Sequence, residues 1–204
     1  MSVNSEAGRR RPALLMRSVI MAAALMGAAM FSASAQSLDE RMPACLACHG
    51  EKGQSETSEV PSIGGMPEFY LTIQLYMFRE KLRAVEIMND VTKGLSDDDL
   101  RKLAGTIAKL PPPKPSGDPP DPARVQKALA LIPQNRCNSC HGANLAGDQN
   151  VPRLAGQRED YLVKTLREYK NNTRRGYDAA MADVMYPVSE DDIVVLAHYL
   201  SRLP

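Results

Sequence analysis

Cys45-Leu46-Ala47-Cys48-His49 and Cys137-Asn138-Ser139-Cys140-His141 are two copies of one five-residue spacing, Cys-x-x-Cys-His. Two thiols three positions apart reach the two vinyl groups of one haem and form thioethers, while the adjacent imidazole meets the iron from one face. The spacing predicts covalent attachment at Cys45 and Cys48 and again at Cys137 and Cys140, with His49 and His141 as axial ligands of two covalently bound haem c groups. A thioredoxin-like redox pair or half of a zinc site also uses Cys-x-x-Cys. Neither accounts for a histidine following at once in both copies, and no βαβ pattern surrounds either. The two haems use all four cysteines, which leaves none for a disulfide.

Outward from each motif the chain repeats itself. Val60-Pro61-Ser62-Ile63-Gly64-Gly65 matches Val151-Pro152-Arg153-Leu154-Ala155-Gly156, and Glu68-Phe69-Tyr70-Leu71 matches Glu159-Asp160-Tyr161-Leu162. Further on, Met88-Asn89-Asp90-Val91 and Leu95-Ser96-Asp97-Asp98-Asp99-Leu100 match Met181-Ala182-Asp183-Val184 and Val188-Ser189-Glu190-Asp191-Asp192-Ile193. A period this long, with two copies, implies two globules rather than a solenoid. Pro67 followed by Glu68 opens a helix expected to run to about Arg83, and Ser96 caps another that stops at Pro111. Asp121-Pro122 caps a helix through about Ile132, and a short helix over 38–47 is expected to deliver the first thiols. No stretch reads as a strand, so the fold class expected is all-α.

Between Pro111 and Pro122 seven of twelve residues are proline, which predicts a stiff, extended linker that spaces two units without packing much itself. The expected organisation is a leader at 1–35, a first domain at 36–110, the linker at 111–122 and a second domain at 123–204. Arg9, Arg10, Arg11 and Arg17 precede an apolar run from Val19 to Phe31, and Ala33 and Ala35 supply the small residues of a signal-peptidase site. Cleavage is expected after Ala35, because the uninterrupted apolar stretch falls short of the ~20 residues a membrane span needs. Removing residues 1–35 takes away four arginines and Glu6, leaving 21 basic and 23 acidic residues. That near-neutral balance carries no polyanion-binding signal. With no tryptophan and three phenylalanines, each half is poor in aromatic bulk, and a haem is expected to complete each small core.

A low-spin electron-transfer haem needs a sixth ligand opposite the histidine, and methionine suits a soluble carrier of raised potential. The repeat selects Met88, seven residues before Leu95, and Met181, seven before Val188, each expected in a non-helical approach to the capped helix. Met185, four residues beyond Met181, is the alternative in the second half. His198 falls in register with Gly105, which points to packing rather than ligation.

These doubled segments resemble the dihaem cytochrome c4 family over both halves, from about residue 40 to the C-terminus. The resemblance implies two tandem class I cytochrome c-like haem domains about a pseudo-twofold axis, His/Met ligation, and propionates facing the interface between domains. Pro61 and Pro152 resemble the proline whose carbonyl receives the ligand histidine's hydrogen bond in class I cytochromes c. Arg83 and Arg174 also correspond, and are candidates to neutralise propionates. One departure stands out: Met66-Pro67 takes the place held by Gln157-Arg158 in the second copy.

The expected function is a periplasmic electron carrier, between a quinol-oxidising complex or dehydrogenase and a terminal oxidase or reductase. Its partners are expected to be redox proteins met in transient docking, including membrane-bound respiratory complexes, and not nucleic acid. The alternative is a dihaem subunit of a dehydrogenase such as a sulfide-oxidising flavocytochrome. No Ser/His/Asp array, phosphate loop or further metal cluster supports chemistry of the chain's own, so it is expected not to be an enzyme by itself.

Overall fold

Serine caps and acidic first turns start two of the helices of this computed structural model, which describes residues 38–115, 117–174 and 179–204. The expected leader lies outside the described residues. In chain order the first half holds α1 (Leu38–His49), α2 (Glu68–Arg79), α3 (Glu86–Thr92) and α4 (Asp97–Ala108). The second holds α5 (Pro122–Gln134), α6 (Cys137–His141), α7 (Glu159–Lys170), α8 (Ala179–Met185) and α9 (Glu190–Leu200). Apart from one isolated bridge between Asp148 and Val151, the regular structure of the described residues is helical.

Helix α4 starts in a capping box: Ser96 Oγ accepts from Asp99 N–H and the Asp99 carboxylate accepts from Ser96 N–H. Ser189 repeats the cap on α9 by accepting from Asp192 N–H. The buried stripe of α4 is Leu100, Leu103, Ala104 and Ile107; that of α9 includes Ile193, Leu196, Ala197 and Leu200 in the same register. In the first half α4 packs on α2 and α1; in the second α9 packs on α5 and α7. The second core is one continuous cluster, whereas the first is split between a group around Met66, Leu71, Ala104 and Ile107 and another of Leu95, Leu100 and Leu103.

Two expectations about elements need correction. Helix α2 ends at Arg79, not near Arg83, because Lys81 turns left-handed (φ 57°) and its N–H bonds Phe78 O. Helix α7 stops in the same way, with Asn172 at φ 53° bonding Tyr169 O. The approach to the capped helices is not irregular either: Met88 lies on α3 and Met181 on α8.

The proline-rich segment is more than a spacer. Pro113 is buried, and Gln54 holds Lys114 by both backbone groups, donating to its carbonyl at 3.2 Å and accepting from its N–H at 3.3 Å. Gly65 and Gly156, equivalent positions in the two halves, bracket consecutive linker prolines. A Cβ on Gly65 would stand 2.8 Å from Pro112 Cα, and one on Gly156 2.5 Å from Pro113 O. Both glycines also have positive φ, so only glycine meets both the backbone and the space requirement. The prolines thus pack against both halves, and residues 37–204 form one compact unit.

Candidate haem sites and the boundary between them

Cys45, Cys48 and His49 stand at i, i+3 and i+4 of α1, so all three project from one helix face. In the second half the same three positions fill α6, separated from α5 by a break at Asn135 and Arg136, the latter left-handed at φ 55°. Cys48 and Cys140 are exposed, Cys45 and Cys137 half-buried, and burial pushes the latter two thiols up in pKa. None of the four is in a disulfide. Among the described residues no three or more His, Cys, Asp or Glu side chains gather into a cage for a bare metal ion.

Both histidines are buried and tied down identically. His49 Nδ1 lies 2.8 Å from Pro61 O, and His141 Nδ1 lies 2.8 Å from Pro152 O. A carbonyl can only accept, so Nδ1 carries the proton in each ring and the Nε2 lone pair is left for a metal. Burial pushes the His49 pKa down, with the Pro61 hydrogen bond opposing, which favours the neutral ring a metal needs.

Met88 and Met181 are each partly buried on their seven-residue helices. Met185 is 3% exposed inside the second core, and its register partner in the first half is Thr92, 0% exposed, whose hydroxyl bonds Met88 O at 2.8 Å. That position is buried in both halves. Asn89 fixes α3 to the chain before it, donating to Phe78 O at 2.6 Å and Arg83 O at 2.9 Å and accepting from Val85 N–H at 3.1 Å.

Arg83 and Arg174, from opposite halves, converge on one phenol: both guanidiniums donate to Tyr161 Oη, at 3.3 and 3.4 Å. Each also covers an aromatic ring of its own half, Phe78 for Arg83 and Tyr169 for Arg174. Their other partners differ. Arg83 donates to the neutral Gln74 at 2.7 Å, and Arg174 pairs with the Glu168 carboxylate at 2.8 Å. Burial alone would raise the Tyr161 pKa, but the two guanidiniums outweigh it and lower it; Tyr70 beside it is raised, by burial and by Tyr161. The repeat marks both tyrosines as equivalent, but their meeting depends on how the halves pack.

The boundary carries further bonds that sequence reasoning missed. Gln157, 2% exposed, accepts from Ser62 N–H and donates to Ser62 O, both at 2.8 Å. Arg158 donates to Ser55 O at 3.0 Å, and Tyr70 N–H to Gln149 O at 2.9 Å. Asp160 accepts from Ser58 Oγ and Glu59 N–H, both at 3.1 Å. His198 is buried, with Nε2 accepting from Asp121 N–H at 3.1 Å at the start of α5 and Nδ1 3.7 Å from Glu159. Its equivalent, Gly105, faces Glu68, the equivalent of Glu159.

The family model described as cytochrome c matches residues 125–204. The chain is 33% identical to the thiosulfate dehydrogenase electron acceptor of Thiomonas intermedia over 91% of each chain. It is 28% identical to cytochrome c4 of Pseudomonas aeruginosa over 93% of this chain and 98% of that one. The crystal structure of reduced cytochrome c4 from Pseudomonas stutzeri superimposes with a TM-score of 0.71 at 27% identity, covering 83% of this chain and 100% of that one.

Proposed function

Because the chain belongs to the dihaem cytochrome c4 family, we propose that each half holds one haem c and that the pair passes single electrons across the boundary. The protein is an electron carrier of the periplasm and catalyses no bond chemistry of its own. In this reading Cys45 and Cys48 form the thioethers of the first haem and Cys137 and Cys140 those of the second. His49 and Met88 ligate one iron, His141 and Met181 the other. Each haem supplies a metal that cycles between ferrous and ferric states.

The chain's own residues do the rest. Pro61 and Pro152 carbonyls fix ring orientation and the Nδ1–H tautomer, which strengthens each histidine as a ligand. Arg83 and Arg174 lie at the boundary as partners for propionates, and Tyr161 holds their two guanidiniums in place. The observation that carries the reading is the twofold occurrence of a buried histidine, one residue after Cys-x-x-Cys, with Nδ1 on a carbonyl. The leader at 1–35 directs the chain to the compartment where haem is attached, and cleavage after Ala35 releases it there.

The name of the Thiomonas relative supports an electron donor that oxidises thiosulfate or a similar small sulfur anion. Mass spectrometry of the exported protein should find two covalent haems on a chain beginning at Gln36, and fewer than two ends the proposal. Mixing the oxidised protein with a thiosulfate dehydrogenase and thiosulfate should reduce both haems; reduction no faster than without the enzyme rules that donor out.

A further inference from the structure

Ser62 is 1% exposed, and its N–H belongs to the same peptide group as the Pro61 carbonyl. That single peptide is engaged at both ends. His49 Nδ1–H donates to Pro61 O at 2.8 Å, and Ser62 N–H donates to Gln157 Oε1 at 2.8 Å. Gln157 Oε1 also accepts from its neighbour Arg158 N–H at 3.0 Å, and Gln157 Nε2 donates to Ser62 O at 2.8 Å, so the amide is held by three bonds and cannot turn. We infer that Gln157, a residue of the second half, is a positioning residue for the first haem, strengthening His49 as a ligand through the Pro61–Ser62 peptide.

The physics is the cooperativity of hydrogen bonds in series. An acceptor on the N–H end of a peptide pushes electron density toward its carbonyl, making the oxygen a stronger acceptor, and in a dry site each bond polarises the next. A stronger acceptor on Nδ1–H makes the imidazole more electron-donating at Nε2, which stabilises ferric over ferrous iron. Among the described residues the relay exists on one side only. Met66 stands where Gln157 stands in the second copy, and its thioether is buried in the first-half core with Leu71, Ala104 and Ile107. A thioether offers the Pro152–Arg153 peptide no comparable acceptor. Two haems attached by identical motifs are thereby made unequal, and the lower one depends on the second half staying docked.

This inference rests on the haem assignment proposed above, and the test separates the two. In the full-length holoprotein, Gln157→Met installs the residue that the same register of the first half already carries, a swap of similar volume. The first haem should become easier to reduce by about threefold in its ferrous-to-ferric ratio, an upward shift of about 28 mV at about 59 mV per decade. The second haem should not move, with each haem followed by its own axial-methionine NMR signals. Asp160→Ala is the control: it removes bonds to Ser58 and Glu59 across the same boundary but leaves the peptide's two bonds intact.

Equal shifts in both variants would mean that loosened packing, not the relay, sets the potential, and would overturn the inference. So would an unmoved first haem in Gln157→Met. If that variant fails to take up haem, the ferrous wild-type protein carries the test: the Nδ1 proton of His49 should resonate downfield of that of His141, and coincident signals overturn the relay. A wild-type protein with fewer than two haems would instead overturn the assignment on which the relay stands.

Discussion

Met185 and Thr92 occupy equivalent places, both buried, four residues beyond the methionine of each short helix. A side chain whose equivalent is a threonine bonded to the helix backbone is serving the core, which separates Met185 from Met181 as the proposed ligand. Met185→Ala should therefore cost about 2–5 kcal/mol of stability through the cavity it leaves, while keeping the far-red sulfur-to-iron absorption of the ferric protein at full intensity. Met181→Ala should remove half of that band at smaller cost to the melting temperature. The opposite pattern would exchange the two assignments. Cys-x-x-Cys-His was legible because it is short-range, and the resemblance to class I cytochromes c pointed to Pro61 and Pro152, whose carbonyls lie within twelve residues of His49 and His141. The convergence of Arg83, Arg174 and Tyr161 was not, because it joins side chains 78 residues apart and no local pattern encodes it.

Helices with a cap and a sustained apolar stripe could be read directly, and α4 and α9 appear where Ser96 and Ser189 place them. Helices α3 and α8 escaped because seven residues make barely two turns, too few for a periodic signal, and Val85 at the start of α3 offers no side-chain cap. A helix so short depends on its surroundings. For α3 those include Asn89, whose amide closes three bonds to Phe78, Arg83 and Val85; the equivalent residue in α8 is Ala182. Asn89→Ala should destabilise the protein by about 1–3 kcal/mol, at about 1 kcal/mol net for each lost bond. It should also raise hydrogen exchange over α3 far more than over α8. Equal exchange in the two short helices would show that α3 is held by packing alone.

At the scale of the molecule, the proline-rich segment and the boundary form one system. Proline content alone supports a stiff, extended spacer that packs little itself; the structure instead buries Pro113 and sets Gly65 and Gly156 against the linker backbone. Sequence could not foretell this, since a glycine that admits a neighbouring chain looks the same as one that makes a turn. The asymmetry between Met66 and Gln157 was visible, but its meaning depends on Gln157 reaching Ser62 across the boundary.

Acid should test that boundary through Asp160. Burial pushes its carboxyl upward, but Arg158, the N–H groups of Glu59 and Tyr161 and the Ser58 hydroxyl outweigh it and hold the pKa at about 2, against an ordinary 3.8. A depressed carboxyl stabilises the folded form above its ordinary value and loses that contribution as pH falls toward the depressed one. The docked arrangement should therefore weaken between 3.8 and about 2, with the contacts to Ser58 and Glu59 released first. Hydrogen exchange at the Glu59 amide, which Asp160 accepts, is the local reporter; exchange at Tyr70, bonded to Gln149 O, reports the boundary as a whole. In the wild-type protein both should lose protection across that interval. In Asp160→Asn, whose side chain does not titrate there, protection should already be lower at neutral pH and should fall less on acidification. If the two proteins lose protection in parallel, other carboxylates govern the acid response and Asp160 is a surface contact without weight in docking.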